Sequence, residues 1–401
     1  MDIKPILSSL RRSPTGAILV ALQIALALAV TVNSLYIIKQ RLDLIGRDPG
    51  MDVPSIFFVN WVPSGERFQG EATMREDLQV LRALPDVVAA TTVNAVPLSG
   101  GGSATSMYTE PAEKGRRADI NYFQVDEQGL QALGARLAEG RDFDASVVRK
   151  YPRNSSDGPP EMMITREVAD EIFPGESAVG KTLYTAISDP VTIVGVIDHM
   201  HGSWPSWDKV GHVALFPVIA DEQQARYMVR AKPGRRDEAM RAAEEALGKM
   251  DNGRVILRVR SLEYVAASTY ASDRAMAVYL GVVVALLLGI AALGIFGLAA
   301  FNVGTRTRQI GTRRAVGARR SDILRYFLVE NWLITTAGVV AGCVLALLLG
   351  YWLSTTFELP RLNLYYLVGG VVVLWIVSLA AALRPARRAS MVSPATATRT
   401  V

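Results

Sequence analysis

Hydrophobic positions along this chain are gathered, not spread. Four stretches carry no Asp, Glu, Lys or Arg: Thr15–Ile38 (24 residues), Ala275–Thr305 (31), Asn331–Phe357 (27) and Leu362–Leu383 (22). Each exceeds the roughly 20 residues with which an α-helix crosses a hydrocarbon core about 30 Å thick. The pattern predicts four membrane-spanning helices, which excludes an ordinary soluble enzyme. Thr15–Ile38 follows a basic start, but it outruns the roughly 7–15-residue apolar region of a cleaved signal peptide, so it reads as a retained anchor.

The 236 residues between the first two stretches, 39–274, are enough for a core of their own and predict an α+β domain, in two subdomains. An apolar run at Ser55–Val62, a helical pattern around Arg75–Leu84 and a second run at Asp86–Val93 form one β-α-β unit. Arg226–Ala231, the Ala- and Glu-rich Arg236–Met250 and the alternating Arg254–Arg260 form another. Two such units at the two ends should pack on each other. Between them lies a middle subdomain, about 98–220, punctuated by Gly, Ser and Pro. It has strand candidates at Ile120–Val125, Val191–Ile197 and His212–Val218. Arg149–Glu161, with three prolines, reads as an exposed loop. Ser261–Arg274 is helix-permissive and is expected to run unbroken into the second span, which would let it transmit tilt or rotation.

Composition adds little until it is divided. The chain is half hydrophobic, with 43 Lys+Arg against 38 Asp+Glu, a net charge of +5 over 401 residues. Residues 1–14, 305–327 and 384–401 hold fourteen of the cations and only two acids, Asp2 and Asp322, whereas 39–274 is net −6. The positive-inside rule places the basic segments in the cytoplasm and 39–274 outside. The expected layout is a cytoplasmic N-terminus (1–14), span one (15–38), the extracytoplasmic domain (39–274) and span two (275–304). A cytoplasmic loop (305–327), span three (328–354), an outer link (355–361), span four (362–383) and a cytoplasmic tail (384–401) follow. The single cysteine, Cys343, lies inside the third stretch, which rules out a disulfide scaffold.

Several motifs mislead. Gly175-Glu176-Ser177-Ala178-Val179-Gly180-Lys181-Thr182 fits the phosphate-binding loop, Val191–Asp198 mimics a strand ending in a magnesium ligand, and Leu98–Gly102 mimics the signature loop of ABC ATPases. A phosphate loop needs a strand before it and a helix after it. Here a helical pattern, Glu167–Phe173, precedes and a strand follows, so the glycines read as turn formers. His199, His201 and His212 lie within fourteen residues beside Asp198. His199 and His201 would share a strand face, but two ligands do not make a structural metal site, and a surface turn is expected. No catalytic triad, carboxylate pair or CxxC has supporting context, and nothing commits the chain to enzymatic chemistry or nucleic acid.

The informative segment is 305–330, TRTRQIGTRRAVGARRSDILRYFLVE. Arg306, Arg308, Arg313 and Arg314 accompany Ile310 and Val316 at helical spacing, Gly317 interrupts, and Ser321 is the expected N-cap of the next helix. A short amphipathic helix at a membrane face either lies on anionic lipid or docks its apolar residues into a partner's groove.

This run, with Arg384-Pro385-Ala386-Arg387-Arg388-Ala389, Ser393-Pro394-Ala395 and Ile172-Phe173-Pro174-Gly175, resembles the MacB/FtsX-like permeases of ABC transporters. Gln309 replaces the acid of that family's usual Arg-Glu-Ile-Gly run. The resemblance implies a bacterial inner-membrane protein of four transmembrane helices, with a MacB-like periplasmic core domain between the first two. It implies an ATPase-coupling site at Arg308, Gln309, Ile310, Gly311, Arg313, Arg314, Val316 and Gly317, seated on a separate cytoplasmic ABC ATPase. That partner would bind ATP and Mg; no cofactor, metal or catalytic residue is expected in this chain. With eighteen residues after Leu383, the ATPase is expected in a separate subunit and not fused to this chain. A second permease, as homodimer or heterodimer, is implied, and transport would add a periplasmic adaptor and an outer-membrane channel. The alternative is an FtsX-like regulator of a periplasmic hydrolase or sensor, moving no solute.

Overall fold

The computed structural model describes residues 14–150, 158–186, 189–221, 223, 225–356 and 362–392. Most of the expected N-terminus and outer link, the centre of the 149–161 loop and Ser393-Pro394-Ala395 lie outside the described residues. The chain divides into two compact units, Gly46–Ala271 and Met1–Ile45 with Ser272–Val401.

In the first unit, β1 (Ile56–Pro63), α2 (Glu71–Arg82) and β2 (Val87–Val93) open the domain, following α1 (Pro14–Ile45) of the other unit. The middle contains β3 (Ala104–Glu110), β4 (Lys114–Val125), α3 (Gly129–Leu133), β5 (Leu137–Gly140), β6 (Glu161–Thr165), α4 (Arg166–Ile172), β7 (Thr182–Tyr184), β8 (Pro190–Ile197) and β9 (Val213–Pro217). Then come β10 (Arg226–Ala231), α5 (Arg236–Gly248), β11 (Arg254–Ser261) and α6 (Leu262–Thr269).

The two terminal β-α-β units interleave in one antiparallel sheet, order β11-β1-β10-β2, so neither is a domain alone. Alternation along β1 explains why it lies inside: Phe57, Val59 and Trp61 pack with Met74 and Leu78 of α2 and Leu247 of α5. Ile56 and Phe58 face the opposite core, shared with Phe123, Met163 and Leu215 of the middle subdomain. The middle strands form a seven-stranded mixed sheet, order β5-β8-β6-β9-β4-β3-β7, whose end strand β7 also pairs with β8.

The expected continuous helix into span two is broken. Ser261 Oγ caps α6 by accepting from Tyr264 N at 3.2 Å, and α6 ends at Thr269. Thr269 Oγ1 bonds back to Val265 O at 3.0 Å, a contact that bends helices, and Tyr270 adopts φ −81°, ψ 1°. A new helix starts at Ala271.

The second unit holds four helices long and apolar enough to span a membrane: α1, α7 (Ala271–Thr305), α9 (Arg320–Thr356) and α10 (Leu364–Ser390), with the short α8 (Thr307–Ala315) between α7 and α9. Each outruns its uncharged stretch. α1 continues to Ile45, and Arg41 Nη1 lies 3.0 Å from Asp273 Oδ1 of α7. Apolar lipid gives helices no hydrophobic drive to associate, so close backbones and polar pairs must do so. On α9, Gly338 and Gly342 face α1, where an added Cβ would come within 2.7 Å of Ala21 O and 2.9 Å of Leu28 Cβ. Asn33 Nδ2 donates to Ala346 O at 3.1 Å, and Asn331 Nδ2 donates to Ser378 Oγ at 2.8 Å.

A candidate coupling site on the loop between spans two and three

The segment expected to couple folds as α8 and a tight turn. Gly317, at φ +105°, occupies a conformation that side chains avoid, so the helix can stop there. Gly317 N donates to Arg314 O (3.2 Å) and Ala318 N to Arg313 O (3.0 Å), the paired bonds of a Schellman C-cap. The next helix begins at Arg320, one residue before the expected cap. Asp322, not Ser321, closes its N-terminus, its Oδ2 accepting from Arg319 N at 2.9 Å.

The inner face of α8 is fixed at three points. Ile310 is buried with Ile323 and Phe327 of α9 and Ala386 and Ala389 of α10. Arg306, just before α8, places Nη1 3.0 Å from Glu330 Oε1, an acid with a 3% exposed side chain. Arg314 Nη1 donates to Val392 O at 2.7 Å and Ser390 O at 3.3 Å, satisfying carbonyls left over at the end of α10. The Arg313 guanidinium stacks 4.9 Å above the Tyr326 ring.

Of the eight expected site residues, Ile310 and Gly311 are therefore turned inward, Arg314 is half-buried in anchoring, and Gly317 shapes the turn. Arg308, Gln309, Arg313 and Val316 are exposed, Val316 at 85%, although Gln309 and Arg313 also line a small cleft against Tyr326 and Phe327 of α9. Arg319, Arg320, Arg325, Arg387 and Arg388 are exposed as well, so the exposed Val316 belongs to a strongly cationic end of the unit. The Arg306–Glu330 pair was missed, although an acid beside an uncharged stretch is costly unless paired and so signals a partner. The helical start of the expected tail was missed too: α10 runs through a buried Pro385, and its alanines underlie Ile310.

The other motifs resolve structurally. The Gly175–Thr182 run lies between α4 and β7, helix before and strand after, and Lys181 pairs with Glu176 while lying 4.4 Å from the centre of the Phe173 ring. The histidines are not a surface turn: His201 and His212 are buried. His199 Nδ1 pairs with Glu167, and its Nε2 is 2.9 Å from Asp48 O. Burial opposes charge on His199, but the Glu167 and Asp48 contacts outweigh it and raise its pKa. Burial, with His199 and Arg47 adding to it, pushes His201 down to about 4. Among the described residues no group of three or more His, Cys, Asp or Glu is placed to hold a metal.

The family described as MacB-like periplasmic core domain matches residues 18–247, and that described as FtsX-like permease C-terminal matches 281–394. The chain is 26% identical over 341 residues to the macrolide export ATP-binding/permease protein MacB of Vibrio parahaemolyticus, covering 82% of this chain and 49% of that protein. It is 28% identical to the protein of the same name in Bartonella quintana, covering 68% and 41%. The chain thus spans about half the length of the curated relatives it matches. The periplasmic region of MacB from Actinobacillus actinomycetemcomitans aligns at TM-score 0.33 and 13% identity, over 56% of this chain and 97% of that one. With four transmembrane helices and an α+β domain inserted between the first and second, the chain belongs to the MacB/FtsX-like permease family.

Proposed function

We propose that this chain is the permease subunit of a MacB-like mechanotransmitting ABC transporter. A separate cytoplasmic ATPase binds ATP and Mg, and its closure is passed through α8 to the spans and to the domain outside. One observation carries the reading. α8 is tied on its inner face to α9 and α10 by Arg306–Glu330, Ile310 and Arg314, while Arg308 and Val316 are left exposed with no such tie among the described residues, and Gln309 and Arg313 are exposed at the edge of the α9 contact. A helix tied to two spans moves them when it is pushed; one lying loosely on lipid would not. The charge partition supports a reading in which α8 and both termini are cytoplasmic and Gly46–Ala271 lies outside, in the periplasm of an inner-membrane protein. A second permease, with a periplasmic adaptor and outer-membrane channel beyond it, completes the assembly on this reading.

The test is co-purification of an epitope-tagged chain with the ABC ATPase encoded beside it. Val316→Asp with Arg308→Glu abolishes co-purification while the purified permease keeps its melting temperature. Undiminished ATPase recovery with both substitutions overturns the coupling role. Crosslinks from the 98–220 region to a wall hydrolase or sensor, and none to an adaptor, would replace export by regulation.

A further inference from the structure

Three arginines near the end of α10 share its outer side with exposed apolar residues of the span. The inner side holds the helix in one rotation. Leu374, Ser378 and Ala382 are buried, Ser378 Oγ accepts from Asn331 Nδ2 of α9 at 2.8 Å, and Ala386 and Ala389 pack with Ile310. The outer side is thereby fixed as well. At 3.6 residues per turn, Val372, Ile376, Leu379 and Arg387 fall on one stripe, and all four are exposed. Arg384 and Arg388, also exposed, flank Arg387 one turn apart.

Length sets the depth of these charges. A helix rises about 1.5 Å per residue, so Arg384 lies about 30 Å along α10 from Leu364, the thickness of a hydrocarbon core. Arg384 also directly follows the uncharged stretch Leu362–Leu383. Arg387 and Arg388, one turn further on, come to the level of lipid phosphates, while Val372, Ile376 and Leu379 stay beside the acyl chains.

Their charge is not neutralised within the unit. α8 and α10 carry no acid, and the two acids of α9 are engaged elsewhere, Glu330 with Arg306 and Asp322 with Arg319 N. Among the described residues, Arg384, Arg387 and Arg388 form no ion pair. Like charges one helical turn apart repel, and an anion with several oxygens relieves that repulsion. A guanidinium fork matches phosphate in particular.

We infer that this face binds an anionic phospholipid, its phosphate on Arg387 between Arg384 and Arg388 and an acyl chain along Val372, Ile376 and Leu379. A zwitterionic lipid offers the same phosphate, but its ammonium adds a further positive charge to the cluster. A second copy seated here, with α10 beside its parallel counterpart, would set the same three arginines against each other. The site rests only on α10 crossing the membrane, and not on α8 coupling to an ATPase.

To test this, the full chain is reconstituted in vesicles of equal phosphatidylglycerol and phosphatidylcholine, extracted in mild detergent and weighed intact by native mass spectrometry. Wild type should retain phosphatidylglycerol over phosphatidylcholine by about tenfold or more. Arg384→Gln/Arg387→Gln/Arg388→Gln should bring that ratio close to one with the melting temperature unchanged. Arg319→Gln/Arg320→Gln/Arg325→Gln removes the same charge from the same end of the unit and should keep the preference. Phosphatidylglycerol carrying a diazirine in its acyl chain should crosslink within residues 372–383. Equal retention of both lipids by wild type overturns the inference. Equal loss in the two triple variants overturns it too, leaving only diffuse positive charge. A first triple variant that keeps its phosphatidylglycerol but loses a second copy or the ATPase also overturns it, and makes the face a protein contact.

Discussion

Arg306 and Glu330 form a buried ion pair in which one guanidinium nitrogen lies 3.0 and 3.1 Å from the two carboxylate oxygens. The arginine immediately precedes α8 and the acid sits eleven residues into α9, so the pair ties the loop to the span that follows it. Removing one partner leaves an uncompensated charge where both side chains are less than one-fifth exposed. Such a loss costs about 3 kcal/mol, whereas replacing both partners by apolar groups is often close to neutral. Glu330→Ala should therefore lower the melting temperature of the detergent-purified chain by several degrees, and Arg306→Met/Glu330→Met should recover most of it. If the ion pair is also the mechanical link, the double variant stays stable yet loses ATPase-dependent activity.

Packing among the spans makes a sharper contrast between glycines. At Gly342 a Cβ would come within 2.9 Å of Leu28 Cβ and 3.0 Å of Ala25 Cα, but at Gly289 it would meet nothing within 4 Å. Gly342→Leu must push α1 away from α9, and overpacking of this kind costs about 1–3 kcal/mol or more. Gly289→Leu adds an apolar group in open space. Fluorescence-detected size exclusion should show a sharp loss of monodisperse protein for Gly342→Leu and none for Gly289→Leu.

These contrasts show where the sequence was readable. Spans were legible because lipid demands long uncharged runs, and the paired β-α-β units because apolar runs such as Ser55–Val62 flank helical patterns. Which side of α8 faces inward was not legible. Ile310 and Val316 look alike in an amphipathic pattern, and only Phe327 and Ala386, distant in sequence, select Ile310 for the core. The break at Tyr270 was hidden for a similar reason: a threonine's bond to the preceding turn leaves no trace in hydropathy. The buried state of His201 and His212 goes with backbone contacts to distant segments, His201 N donating to Pro49 O and His212 O accepting from Asn121 N, which local spacing does not encode.

His201 should give the Gly46–Ala271 unit a measurable pH dependence. Its pKa is pushed down to about 4 by burial, with His199 and Arg47 contributing, from an unfolded value near 6.5. The unfolded chain therefore binds the extra proton first, and stability is lost as pH falls from about 6.5 towards 4. Asp126 acts in the opposite sense, since burial raises it to about 6. The comparison must therefore be between variants and not within one titration. His201→Gln should flatten the acid side of the wild-type melting curve, removing up to about 3 kcal/mol of pH-dependent stability between those limits. Parallel curves for the two proteins between pH 4 and 6.5 would refute the assignment.

The last prediction concerns the buried charge inside the interleaved sheet. Asp77, on α2, is fully buried and accepts from Tyr227 Oη at 2.6 Å and Asn252 Nδ2 at 2.9 Å, and it pairs with Arg254, which is 8% exposed. Arg254 in turn donates from Nη2 to Leu247 O at 2.8 Å, at the end of α5. One carboxylate thus joins α2 of the first β-α-β unit to β10, β11 and α5 of the second. Asp77→Ala removes the acceptor for three donors and strands a buried guanidinium, a combination that costs about 3–5 kcal/mol. Asp77→Asn keeps the shape and one acceptor oxygen but loses the charge, and should cost less. The order of melting temperatures, wild type above Asp77→Asn above Asp77→Ala, checks this. Equal melting temperatures for wild type and Asp77→Ala would mean that the two halves of the sheet are joined by their apolar core alone.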